Sequence, residues 1–200
     1  MRLFLAIELP AEVRQRLAEV QERLQASCRG WRWVRPDGIH LTLRFLGEVA
    51  EERDRRLRDT WRGAAAAGGP FVLGLGGVGR FPPRGRPRVL WLGIDELEPG
   101  QRLEALARRL EAAARADGFS AEGRAFRPHL TLARARRNER PVGPEEGACG
   151  GGPTRFAVTE LTLFRSELLR SGARYTSLER FPLLMSRDRD GTLESPAGAG

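Results

Sequence analysis

The sequence predicts an α+β fold, and three observations carry that prediction. Strand-like and helix-like apolar patterns follow one another as strand, helix, strand, helix, strand, strand, helix, strand, strand, strand, which is not the strict alternation of a doubly wound parallel sheet. With 40% hydrophobic and 30% charged residues, the chain has enough apolar side chains for an interior and enough polar ones for a solvated surface. Its 200 residues suit one compact domain, or two small lobes sharing a core.

The stretch Leu3 to Leu9 is dense in Leu, Phe and Ile without a turn signal and reads as a buried strand closed by Pro10. Val13, Leu17, Val20 and Leu24 recur at helix spacing, with Pro10 where a first turn tolerates it and Gly30 ending the segment. From Trp31 to Val49 the pattern alternates, and a turn at Pro36-Asp37-Gly38 divides it, as in a hairpin or a bent strand. Leu57, Trp61 and Ala64 or Ala65 mark a second, arginine-rich helix stopped by Gly68-Gly69-Pro70. Phe71 to Phe81 and Arg88 to Asp95 read as two strands joined by a basic, proline-rich connection. Gly74, Gly76, Gly77 and Gly79 superficially suggest a dinucleotide-binding loop, but no helix follows them, so strand glycines are the better account.

Pro99 opens the strongest helix, in which Leu103, Leu106, Leu110 and Ala113 line one face before Gly118. Strands return at Leu130 to Leu132, Arg155 to Phe164 and Arg174 to Leu183, the last two parted by a turn near Ser171-Gly172. Arg136 to Pro153 reads as a long surface loop. Residues 1–185 are expected to form a single domain and residues 186–200, polar and small, a flexible tail.

Basic residues number 34 against 26 acidic ones, a formal charge of +8, and no lysine occurs, so every one of those cations is an arginine. Guanidinium binds phosphate as a rigid fork, which suits a polyanionic partner such as RNA. Genomic base composition produces the same arginine bias, so charge alone does not choose. Cys28 and Cys149 have neither metal-ligand nor redox spacing, and a reducing cytoplasm is the expected compartment. The first ten residues lack the apolar core and cleavage site of an export signal. No stretch approaches the roughly 18 apolar residues of a membrane span, so no membrane partner is expected, and nothing in the pattern calls for more than a monomer.

One short repeat stands out. His40-Leu41-Thr42-Leu43 recurs in the second half as His129-Leu130-Thr131-Leu132, each copy is preceded by an Arg-Pro pair, and the only two histidines of the chain sit in these copies. Residues two apart in a strand share a face. His40 therefore projects with Thr42, and His129 with Thr131, while the leucines face a core. Packing would accept many apolar substitutes and does not explain why the same four residues appear twice. A shared metal site would need a third ligand, and no His, Cys or carboxylate repeats with the pair; no metal and no cofactor are expected. Two imidazoles with unperturbed pKa near 6.5 can divide the labour of general base and general acid. Threonine hydroxyls and an arginine are suited to hold phosphoryl oxygens as negative charge grows.

The paired His-x-Thr-x motifs resemble those of the two-histidine phosphoesterases, specifically the RNA 2′,3′-cyclic phosphodiesterases historically called 2′-5′ RNA ligases (LigT-like). The likeness extends to Arg2 to Ile7 as a first strand, His40 to Gly47, Pro87 to Gly93, Phe126 to Arg134, and Leu163 to Tyr175 as a closing hairpin. It implies a bilobal, pseudo-twofold arrangement of two antiparallel sheets with flanking helices, each lobe giving one His-x-Thr-x strand to a central cleft. It implies hydrolysis of a 2′,3′-cyclic phosphate end of RNA, or of a related small cyclic nucleotide, to a 2′-phosphate. By the same resemblance His40 is the proton donor and His129 the proton acceptor, roles that can be exchanged, with Thr42 and Thr131 holding the phosphate.

Three neighbours complete the expected site. The resemblance makes Arg134 a phosphate ligand, although its odd offset from His129 requires the strand to twist or bulge after Leu132. Phe45, at the matching offset after His40, faces the core by parity and stacks on the terminal base by resemblance. Arg44 falls on the catalytic face by parity, where it would steer phosphate. Trp31, Trp33 and Trp91 are expected in the core, and the resemblance places Tyr175 in the hairpin, where it would line the cleft. Two other functions remain open at this level. A 2′-5′ RNA ligase would run the same site in reverse and join a cyclic end to a 5′-hydroxyl end, and a non-catalytic RNA-binding module would fail a hydrolysis assay.

Overall fold

The computed structural model describes residues 1–144, 152, 154–169 and 172–185. The expected tail at 186–200, Cys149, Ser171 and most of the 145–153 part of the expected loop lie outside the described residues. Among the described residues, nine strands and three helices follow one another as β1 (Arg2–Ile7), α1 (Ala11–Gln25), β2 (Trp31–Trp33), a 3-10 turn (Pro36–Gly38), β3 (Leu41–Glu48), α2 (Glu51–Ala66), β4 (Phe71–Phe81), β5 (Val89–Glu96), α3 (Arg102–Ala116), β6 (His129–Ala135), β7 (Arg155–Val158), β8 (Glu160–Leu169) and β9 (Gly172–Pro182). They form two antiparallel sheets, one in the order β3-β1-β8-β9 and the other in the order β2-β6-β5-β4-β7.

The helices cover the outer faces through the stripes that their sequences carry. Val13, Leu17, Val20 and Leu24 of α1 are buried, and Gln21 beside them donates to the Leu132 carbonyl of β6, so α1 backs the five-stranded sheet. Helices α2 and α3 pack on each other and against β9 and β3, behind the four-stranded sheet. Leu57, Trp61 and Ala65 of α2 and Leu103, Leu106 and Leu110 of α3 supply the apolar contacts. One apolar core runs through both halves, and a smaller cluster of Phe4, Ala6 and Phe164 lies on the inner face of the four-stranded sheet. Among the described residues, no helix is long and apolar enough to cross a membrane.

Two expectations about local pairing are corrected. The 31–49 segment is neither a hairpin nor one bent strand, because β2 pairs with β6 while β3 pairs with β1 in the other sheet. The Pro36–Gly38 turn thus hands the chain from one sheet to the other. Likewise, 155–164 is not one strand: β7 pairs with β4, β8 pairs with β1, and the break at Thr159 is again a change of sheet. Apolar alternation continues across both breaks, so periodicity alone shows a single strand where the hydrogen bonds change partner.

Candidate active site

Register explains how each repeat points its side chains. In β3, Ala6 of β1 faces Thr42 and Leu5 faces Arg44, which leaves Leu43 as an extra residue. In β6, Trp91 of β5 faces Thr131 and Leu90 faces Ala133, leaving Leu132 as the extra residue. Each repeat therefore carries a β-bulge at the leucine after its threonine, and a bulge inverts the facing of every residue beyond it.

The bulge in β6 turns Arg134 onto the face of His129 and Thr131, since their partners on β5 are Val89, Gly93 and Trp91, all two apart. The bulge in β3 turns Phe45 to the same face as Thr42, where it lies 58% exposed with its ring centroid 5.9 Å from that of Phe4. The parity expectation that sent Phe45 to the core is corrected by the same count.

Arg44 is corrected in the opposite direction. Beyond the bulge it faces away from the cleft and is 4% exposed. There it pairs with Glu111 at 2.8 Å and Glu122 at 2.9 Å, and donates to the carbonyls of Ser120 and Phe45. Glu122 also accepts from the Phe45 backbone N–H at 3.2 Å. Arg44 and Glu122 thus grip both backbone groups of Phe45 from behind, and two carboxylates within ion-pair distance offset the charge of the buried guanidinium.

Gln21 does the corresponding work in the other half. Buried at 3% exposure, it donates through its side-chain amide to the carbonyls of Val34 at 2.8 Å and Leu132 at 2.9 Å. Leu132 is the bulge residue, so α1 braces the irregularity that directs Arg134. A polar residue on an otherwise apolar helix stripe was the available sign of it.

Both imidazoles sit among aromatic rings. His40, between the 3-10 turn and β3, lies 4.6 Å from Phe4 by ring centroids and meets Tyr175 edge-on at 4.8 Å. His129, at the start of β6, meets Phe81 edge-on at 5.1 Å and has Trp91 at 6.3 Å. Trp91 is therefore in the site rather than in the core, whereas Trp31 is buried and Trp33 packs against the core. The glycine run in β4 makes this possible: a Cβ on Gly79 would sit 2.2 Å from the Trp91 indole. These rings belong to strands that periodicity located without indicating which face meets a histidine.

Both rings bond to the backbone two residues back. His129 Nδ1 donates to the carbonyl of Arg127 at 2.7 Å, and the His40 ring bonds to the backbone of Gly38, again two residues back. In His129 this leaves Nε2 as the nitrogen free for chemistry, because a carbonyl only accepts. Burial pushes the His40 pKa down from 6.5 to about 4; the Gly38 hydrogen bond opposes that shift, and the Arg134 guanidinium adds to it. That electrostatic effect connects the two sheets, since Arg134 belongs to β6 and His40 adjoins β3, strands which approach one another. A hollow of about 150 Å³ opens beside His40, bordered by Glu8, Asp37 and Tyr175. Among the described residues, no three His, Cys, Asp or Glu side chains gather as a metal-ligand set.

Comparison with known proteins agrees with this architecture. The family model "LigT like Phosphoesterase" matches residues 7–91 and 94–175. The RNA 2′,3′-cyclic phosphodiesterase of Thermus thermophilus is 37% identical over 204 residues, covering 99% of this chain and 100% of that protein. The Escherichia coli enzyme of the same name is 37% identical over 91% of this chain and 96% of its own length. A Geobacillus stearothermophilus relative, also so named, is 33% identical over 92% of this chain, which spans 58% of that longer protein. Among solved structures, a Thermus thermophilus protein superposes with a TM-score of 0.78 at 35% identity, over 92% of this chain and 98% of that one. Escherichia coli LigT complexed with 3′-AMP gives 0.74 at 35% identity, over 91% and 97%. With two sheets that each present a His-x-Thr-x strand, and with the Thermus thermophilus and Escherichia coli relatives matched nearly end to end, the chain belongs to the LigT-like phosphoesterase family.

Proposed function

We propose that this chain hydrolyses the 2′,3′-cyclic phosphate end of RNA, leaving a 2′-phosphate, by acid and base catalysis with His40 and His129 and without a metal ion. Residues 1–185 act as the single catalytic unit in this reading. The observation that carries it is the pair of bulged His-x-Thr-x strands, one per sheet, which turn His129, Thr131 and Arg134 to one face and Thr42 to the face that carries the His40 aromatic cluster.

In the proposed reaction His129 Nε2 accepts a proton from a water whose oxygen attacks phosphorus. The bond from phosphorus to O3′ breaks, and His40 gives its proton to that oxygen, releasing a 3′-hydroxyl and a 2′-phosphate. Thr42, Thr131 and Arg134 hold the non-bridging oxygens as charge grows on them. Phe45, exposed at the rim, offers a face for the terminal base. With its pKa near 4, His40 is neutral at neutral pH in the empty site. For His40 to donate, the bound substrate anion has to favour the imidazolium against both the burial of the ring and the Arg134 guanidinium.

The test is the position of phosphate on the product of a short cyclic-ended RNA, read by phosphorus NMR with chelator present. A 2′-phosphate is expected; a 3′-phosphate, or loss of turnover with chelator, contradicts the proposal.

A further inference from the structure

Strand β2 is the edge of the five-stranded sheet, and its central residue, Arg32, pairs directly with Arg134 of β6. Trp31 and Trp33 on either side turn inward, Trp31 being buried and Trp33 packing on the core, so Arg32 points to the opposite face, which is that of His129, Thr131 and Arg134. Directly opposed residues in an antiparallel pair have Cβ atoms about 5 Å apart, and like charges placed so repel. Neither Arg32 nor Arg134 forms an ion pair or a side-chain hydrogen bond among the described residues. By contrast, the neighbouring Arg136 pairs with Glu139 and donates to the Trp31 carbonyl. Two adjacent exposed guanidinium groups without acidic partners form an anion site with more positive charge than one phosphate requires.

Resting on the reading of Arg134 as the ligand of the reacting phosphate, we propose that Arg32 binds the next phosphodiester of the RNA, the one joining the terminal nucleotide to its predecessor. The terminal cyclic phosphate lies at the 3′ end, so the chain must leave the cleft in the 5′ direction. The step from Arg134 to Arg32 runs outward to the sheet edge, where a polynucleotide meets no further strand. Arg32 then separates RNA ends from cyclic mononucleotides, which lack that phosphodiester. It adds ground-state binding away from the reacting bond, and its effect falls mainly on KM.

The experiment compares kcat/KM for 2′,3′-cyclic AMP and for an adenylyl dinucleotide ending in a 2′,3′-cyclic phosphate, using the full chain and its Arg32→Ala and Arg32→Gln variants, with folding checked by thermal melting. The wild-type chain is expected to favour the dinucleotide. Each variant should lose about tenfold more kcat/KM on the dinucleotide than on the mononucleotide, mostly through KM. The salt dependence of the dinucleotide KM should become shallower by about 0.7 in log–log slope, the value for one phosphate contact on a single strand. Equal losses on both substrates, or an unchanged ratio, would overturn the role of Arg32 while leaving the catalytic reading standing. Absence of wild-type turnover on both substrates would remove the catalytic reading and this proposal together.

Discussion

Arg134 and His40 act on each other before any substrate arrives. Burial disfavours the imidazolium and, with a smaller contribution from the guanidinium, holds the His40 pKa near 4. Two consequences follow, both of the same sign. Arg134→Ala removes a positive charge, so the His40 pKa should rise, and inorganic phosphate bound in the wild-type site should raise it as well. Titration of the His40 ring protons by NMR checks both; a His40 pKa unchanged by the variant and by phosphate would disconnect the two groups. The histidines and threonines were legible as candidates because two copies of one motif account for every histidine in the chain, whereas Arg134 came from the family resemblance alone. The aromatic ring around each histidine was not legible, since Phe4, Phe81, Trp91 and Phe164 look like ordinary strand apolar residues until their faces are known.

The decisive element is the bulged strand. In both repeats the leucine after the threonine is the extra residue, and that one insertion exchanges the expected places of Arg44 and Phe45 while bringing Arg134 to the face of His129 and Thr131. Sequence parity fails at a bulge because an additional residue leaves composition and apolar spacing unchanged. The braces behind the bulges show what stabilises it: the Arg44 and Glu122 pair in one half and Gln21 in the other. Gln21→Leu removes one buried and one part-buried hydrogen bond and should cost about 2 kcal/mol of stability. If the brace positions Arg134, kcat/KM should also fall severalfold in the wild-type background but show little further loss in Arg134→Ala, while the stability loss remains the same in both backgrounds. Equal loss of kcat/KM in the two backgrounds would show that Gln21 contributes only to folding.

At the scale of the molecule, the two sheets share one core and yet each carries its own copy of the His-x-Thr-x strand. The order of elements and the α+β class were readable from periodicity, helix stripes and turn residues. The exchange of strands between sheets was not: β2 and β3 follow each other through a short turn, as β7 and β8 do through Thr159, and in neither case do consecutive strands pair. Which strands neighbour each other depends on long-range hydrogen bonding that local pattern does not encode. That crossing matters chemically, because it places β3 in one sheet and β6 in the other and so confronts the two motifs.

The most direct test of the catalytic claim is the single-turnover rate of His40→Ala, His129→Ala and the double variant on a cyclic-ended dinucleotide, each shown to be folded by circular dichroism. Each single variant should be slower by at least about 10²-fold, and the double variant should be little slower than either, because the imidazoles work as a unit. A folded single variant that turns over at the wild-type rate would contradict the account.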